Sequence, residues 1–251
     1  MSKIISIHSY RGGTGKSNTT ANLATILAMK GLRVGVVDTD IQSPGIHAIF
    51  GLDEAQMEHS LNDYLWGLCD ISEAAYDVTA NLEADISGKI FLIPSSLKAG
   101  EIARVLREGY DVGLLDAGFQ DLIMDLELDA LLIDTHPGLN EETLLSIAIS
   151  DKVVLILRPD TQDYMGTSVT VEVARKLDVA ELLLTVNKIP NIFNLDEVKQ
   201  QVESTYNCEV AALMPHSDEM MVLGSSDVFV IKFPEHPVSD ALRGLADRLI
   251  D

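Results

Sequence analysis

The sequence predicts an α/β fold, a doubly wound, mostly parallel sheet with helices on both faces. Three observations predict it. Short β-branched, apolar runs recur along the 251 residues, separated by segments long enough to return as a helix. These runs are almost wholly apolar and do not alternate with polar residues, the pattern of strands covered on both sides. A glycine-rich stretch, Gly12-Gly13-Thr14-Gly15, lies directly between the first such run and the first helical segment. With 47% hydrophobic residues the chain can bury a full core. No repeat, low-complexity tract or Pro/Ser-rich linker divides it, so a single domain over residues 1–251 is expected.

The first strand is expected at 3–9, where Ile4, Ile5 and Ile7 run toward the glycines. A helix follows over 16–29, with Leu23, Ile26 and Leu27 spaced to share a face. The strand at 33–38 ends on Asp38, with Asp40 two residues beyond. The acidic stretch 52–88 is the least regular; short helices on the rim are expected there, as a connecting layer, with the sole tryptophan, Trp66, in the core. A strand at 89–94 precedes a helix over 97–107 that places Ile102, Val105 and Leu106 together. Strands at 130–134, 152–157, 181–187 and 210–214 alternate with helices over 163–177 and 195–206. Right-handed crossovers then make the sheet mostly parallel. A last strand is expected at 228–231, and a closing helix over 239–250 sets Leu242, Leu245, Leu249 and Ile250 near one face.

Composition excludes several classes. Eighteen basic against 39 acidic residues leave a net charge of −21, which repels nucleic acid and anionic membranes unless a local cationic patch intervenes. Cys69 and Cys208 form no CxxC pair, which argues against a disulfide framework, a zinc ribbon or a cysteine-ligated cluster within one chain. No stretch approaches the roughly 18 apolar residues of a membrane span. The short N-terminal apolar run reads as a buried strand, not a signal peptide, and a cytoplasmic location is expected.

The strongest chemical signal is Tyr10-Arg11-Gly12-Gly13-Thr14-Gly15-Lys16-Ser17 between strand and helix. Glycines let backbone N–H groups approach phosphate oxygens, and the N-terminus of the following helix adds partial positive charge. Lys16 can reach β- and γ-phosphates, and Ser17 can place its hydroxyl on Mg²⁺. Asp38 and Asp40, two apart at a strand end, would leave on one face toward the edge where open α/β sheets bind ligand. Leu131-Leu132-Ile133-Asp134 is a second apolar strand ending in a carboxylate, suited to holding Mg²⁺ through water.

The run Arg11-Gly12-Gly13-Thr14-Gly15-Lys16-Ser17-Asn18, with Tyr10 where a general Walker A loop has its first glycine, resembles the deviant Walker A box of the ParA/MinD family of P-loop ATPases. The resemblance spans nearly the whole chain and implies a SIMIBI-type P-loop fold, with ATP and Mg²⁺ as cofactors. It implies that Gly12, Gly13, Thr14, Gly15, Lys16, Ser17 and Asn18 hold the nucleotide, and that Ser17, Asp38 and Asp134 serve the metal. Arg11, Lys16 and Asp40 would be catalytic, Asp40 by orienting or deprotonating the attacking water. Arg11 stands where the family has a lysine that reaches across a dimer to the partner's nucleotide. A guanidinium is a planar fork and an ammonium a point charge, so Arg11 would bridge phosphate oxygens in trans or be held as a structural arginine. Thr135-His136-Pro137-Gly138 resembles the second switch; His136 is not assigned as a base, because the family pattern tolerates varied residues there. Asn187, whose amide both donates and accepts, matches the family's adenine-reading asparagine, and Met214-Pro215 resembles the segment closing over the base.

The resemblance implies slow hydrolysis of ATP to ADP and phosphate, an ATP-driven homodimer, and a partner protein that stimulates turnover while a cargo is positioned, partitioned or regulated. Two other readings stay open: an ATP-dependent metabolic enzyme of the dethiobiotin-synthetase type, and an ATP-binding regulator with little turnover. The closing helix has only Arg243 and Arg248 as cations, so core packing is expected there, not direct membrane binding. Nonspecific DNA binding is disfavoured by the charge; Lys98, Arg104, Arg107, Arg175 and Lys176 are the sparse candidates, which a dimer could pool.

Overall fold

The computed structural model describes residues 2–250, with every side chain among them except that of Leu106, so the expectation for Leu106 lies outside the described residues. One sheet contains β1 (Lys3–His8), β2 (Arg33–Asp38), β3 (Tyr76–Asp77), β4 (Lys89–Ile93), β5 (Ala130–Asp134), β6 (Lys152–Leu157), β7 (Glu181–Ile189) and β8 (Val210–Pro215). Their order is β3-β4-β2-β5-β1-β6-β7-β8. All neighbours pair parallel except β3, which runs antiparallel to β4 at the edge. The helices are α1 (Lys16–Met29), α2 (Ile46–Ile49), α3 (Leu61–Leu65), α4 (Ala99–Glu108), α5 (Gly113–Asp125), α6 (Glu141–Ile149), α7 (Thr161–Lys176), α8 (Leu195–Tyr206), α9 (Asp218–Leu223), α10 (Phe229–Lys232) and α11 (Pro237–Ile250).

Both faces of the sheet are covered, which is why its strands read as unbroken apolar runs. The period-two alternation of a strand sends Ile5 and Ile7 into one layer with Leu23 and Leu27 of α1, Phe229 of α10 and Leu242, Leu245 and Leu249 of α11. Ile4, Leu131 and Ile133 face the other layer, with Leu61 of α3 and Leu115, Phe119 and Leu122 of α5. Toward β8, α7 and α8 cover Leu155, Leu184 and Val186. Each fully buried Leu, Ile or Phe contributes about 1.5–3 kcal/mol, so both layers fix the strands and thereby the loops at their C-terminal edge.

Three expectations need correction. Residues 228–231 form no strand: Phe229–Lys232 is the short helix α10, and Val230 N–H donates to Asn22 Oδ1 of α1 at 2.8 Å. Its apolar run is buried, and burial alone does not separate a short strand from a short helix. Beyond α4, which matches the helix expected over 97–107, helices α5 and α6 occupy stretches before β6 for which the sequence predicts no helix. Trp66 is half-buried on the rim, not in the core, with the Arg104 guanidinium 4.2 Å from its ring centroid. The stretch 52–88 otherwise forms short helical turns around α3 and the edge strand β3.

Candidate nucleotide site

The loop between β1 and α1 lies at the C-terminal edge of the sheet, where β1 is central. Gly13 and Gly15 have φ of 77° and 101°, a left-handed conformation that favours glycine. At Gly15 a Cβ would also stand 2.5 Å from Asn187 Nδ2. No side chain caps the start of α1 and no acid occupies its first turn. Its first N–H groups therefore face the cleft unpartnered by side chains, an arrangement suited to an anion. Lys16 lies almost buried at this point, only 7% exposed. A cleft of about 530 Å³ is lined by Gly12, Gly13, Gly15, Lys16, Ser17 and Asn18 together with Asp40, His136, Pro137 and Lys188. Thr14 is buried beside it, its hydroxyl without a partner.

Asp38 and Asp134 are register partners at the ends of β2 and β5, and both are buried. Burial, and then the Asp134 carboxylate beside it, hold the Asp38 carboxyl well above the usual range, although its oxygens accept from Asp40 N–H at 3.0 Å and Gly45 N–H at 3.3 Å. Burial likewise pushes Asp134 up to about 6, against the pull of the Ser17 hydroxyl and the Lys16 ammonium. Thr20 Oγ1 donates to Asp134 at 3.5 Å. Two desolvated carboxylates with too little positive charge between them are a place that a hard divalent cation would relieve. Among the described residues no cluster of three or more His, Cys, Asp or Glu could cage a metal. The Asp38–Asp134 pair fits Mg²⁺, which takes one or two carboxylates and draws its other ligands from phosphate and water. Ser17, Asp38 and Asp134 are the residues that would hold it.

Asp40 and His136 meet across the cleft, His136 Nδ1 lying 2.7 Å from Asp40 Oδ1. Beneath them His8 is fully buried, with Nδ1 2.7 Å from Thr135 Oγ1, which in turn donates to the Ile7 carbonyl at 3.0 Å. Thr135 Oγ1 thus accepts from Nδ1–H. Burial, with Lys16 and His136 nearby, pushes His8 down to about 3, so it is neutral, and its Nε2 has no partner.

Asn187 also reaches the loop: its Nδ2 donates to the Thr14 carbonyl at 2.7 Å and its Oδ1 accepts from Lys188 N–H at 2.7 Å. Lys188, in a left-handed conformation at φ 55°, donates from Nζ to the Gly13 carbonyl at 2.8 Å. Beside them a second pocket of about 280 Å³ is lined by Asn18, Asn187, Pro215, Ser217, Met220 and Met221. Met214 does not line it; its side chain is buried in the core with α11, and Met220 and Met221 supply the apolar wall instead. Alternation along β8 accounts for this, Met214 facing inward where Pro215 faces the pocket.

Arg11 is tied down within its own chain. Its Nη1 lies 3.3 Å from Asp160 Oδ1 and 3.2 Å from Asp163 Oδ1 at the start of α7, and Asp163 also binds Arg158. Sequence reasoning did not single out Asp160, Asp163, Thr20 or Lys188. Only Lys188 carried a signal, following Asn187 directly; the two aspartates lie some 150 residues from Arg11 and meet it only through the fold.

A glycine cradle opening an uncapped helix, a lysine in the cleft and a buried carboxylate pair across from it define a P-loop nucleotide-binding site on a doubly wound sheet. A family model described as an AAA domain matches residues 2–182. The chain belongs to that family and, within it, to the ParA/MinD P-loop ATPases. It is 27% identical over 253 residues to an uncharacterized ATP-binding protein of Methanocaldococcus jannaschii, covering all of this chain and 88% of that one. It is 23% identical to the septum site-determining protein MinD of Bacillus subtilis, covering 100% and 90% of the two chains. The structure of MinD from Pyrococcus horikoshii, solved with Mg-ADP, superposes with a TM-score of 0.80 at 22% identity, covering 99% of this chain and 96% of that one.

Proposed function

We propose that this chain is an ATP-hydrolysing switch: it binds ATP with Mg²⁺, pairs with a second copy around the nucleotides, and positions or regulates a cargo through a partner protein. The observation that carries the reading is the uncapped start of α1 with Lys16, set opposite the buried Asp38–Asp134 pair. The loop amides and Lys16 would take the triphosphate, the pocket beside Asn187 and Pro215 the base, and Asp40 the attacking water. Mg²⁺, when bound, neutralises charge on the phosphates. Asn187 would read adenine only by exchanging a bond it now makes to the loop. Arg11, to act in trans, must leave Asp160 and Asp163; in the free chain it is the structural arginine, and the sandwich would convert it. Binding of the terminal phosphate would draw the segments after Asp38 and Asp134 toward it, and hydrolysis would release them.

The partner is expected to be a protein. Lys98 and Arg104 pair with Glu101 and Glu108, Lys176 with Glu172, and Arg175 donates to the Tyr206 and Asn207 carbonyls, which leaves little cationic surface for DNA. In α11, Leu242, Leu245 and Leu249 are buried, so that helix offers little apolar face to a membrane. Size-exclusion chromatography of Asp40→Ala with Mg-ATP tests the switch. A shift to a dimer that ADP does not produce is expected; a monomer at all nucleotide concentrations would contradict it.

A further inference from the structure

We propose that His136 is a positioning residue that fixes the Asp40 carboxylate at the phosphate cleft, tying the loop after β2 to the loop after β5; its kinetic consequence rests on the hydrolysis reading above. The two strands are neighbours, with Asp38 opposite Asp134, so Asp40 and His136 leave the sheet side by side. An ionised carboxylate only accepts, so His136 Nδ1 carries the proton of the 2.7 Å bond to Asp40 Oδ1. Ser43 N–H donates to the same oxygen at 3.2 Å. Both donors fall on Oδ1, and Oδ2 carries neither, which leaves it to accept from a water in the cleft that both side chains line.

The His136 backbone is itself anchored. The His136 carbonyl accepts from Thr143 Oγ1 in the first turn of α6 at 3.3 Å, and Pro137 follows with its restricted backbone. The Asp40 backbone is held by its N–H on Asp38 Oδ1 at 3.0 Å, but apart from His136 its side chain is held by the Ser43 turn alone among the described residues. The pair is mostly shielded from water, at 21% and 16% side-chain exposure, so the bond is screened less than a surface ion pair. Without it the carboxylate would swing with its loop. Misplacing such a group by about 1 Å costs up to about 100-fold in rate.

Two measurements on His136→Ala, His136→Asn and His136→Gln test the assignment. Asn offers a donor near the position of Nδ1, and Gln one nearer Nε2. In steady-state ATP hydrolysis, Ala and Gln should lower kcat by about 10- to 100-fold with KM changed less than about two-fold, and Asn should restore most of kcat. In hydrogen exchange on the nucleotide-free chain, the amides of residues 40–45 should exchange faster in Ala and Gln and return toward wild type in Asn. An Ala variant matching wild type in kcat and exchange, or an Asn variant as impaired as Ala, overturns the proposal. If the wild-type chain binds ATP but turns over none, the hydrolysis reading falls separately, and the exchange pattern alone decides whether His136 holds Asp40.

Discussion

His8 shows what burial beneath the cleft does to a single side chain. It is fully buried, donates a hydrogen bond from Nδ1–H to Thr135 Oγ1 and is held neutral by desolvation and by Lys16 and His136. Its pKa is depressed to about 3 from 6.5, so the unfolded chain takes up a proton that the native chain refuses. The stability it contributes is whole above about pH 6.5 and drains as pH falls toward 3. At pH 5 the loss is about 2 kcal/mol. Urea titrations at pH 7.5 and pH 5 should therefore show a drop in the wild type that exceeds the drop in His8→Asn by about that amount. Equal drops would mean that His8 is protonated in the native chain. The carboxylates Asp38 and Asp134 shift the opposite way, which is why the comparison with the variant, and not the raw pH dependence, isolates the histidine.

At the scale of elements, the start of α7 acts as a holder for Arg11. Asp160 caps that helix, accepting from Gln162 and Asp163 N–H groups, while it also pairs with Arg11. Asp160→Asn keeps a competent cap and weakens the hold on the guanidinium. The pair is half exposed, where such contacts are worth about 0.2–1 kcal/mol. ATP-driven pairing should then tighten by about 2- to 30-fold in sedimentation or light scattering, because each of the two copies has less to break to free its Arg11. Weaker pairing would mean that Asp160 supports the dimer instead of restraining Arg11. The same contact marks the limit of what the sequence discloses. The loop from Arg11 to Ser17 and the carboxylates at strand ends were legible, because strand–loop–helix order and two-residue spacing place them with no knowledge of the rest. Arg11 against Asp160, Asp40 against His136, and Lys188 on Gly13 are products of tertiary juxtaposition with no local pattern. Met214 and Pro215 were legible as a segment, but which of the two faces the pocket depended on strand register. The strand expected at 228–231 became α10 because its apolar run carries no period. α5 and α6 stayed hidden because their faces are broadly apolar and only weakly periodic.

Across the whole molecule, a net charge of −21 surrounds a cleft that, on the proposed reading, must take a highly charged nucleotide. The conflict is resolved locally: Lys16, Lys188 and the first N–H groups of α1 gather at one edge of the sheet, while Arg11, Lys98, Arg104 and Lys176 pair with acids. Two copies would bring two such acidic bodies together, so pairing would need the nucleotide's own contacts and be favoured by salt. All of this presumes that the amides of residues 12 to 17 grip a triphosphate. Isothermal titration of ATP into the wild-type chain with Mg²⁺ measures that grip directly, with Lys16→Ala as the control. Saturable binding at about one nucleotide per chain is expected, weakened at least about 10-fold by Lys16→Ala, the loss of roughly one charge-assisted contact. No binding by wild-type protein that retains its native circular dichroism would contradict the account.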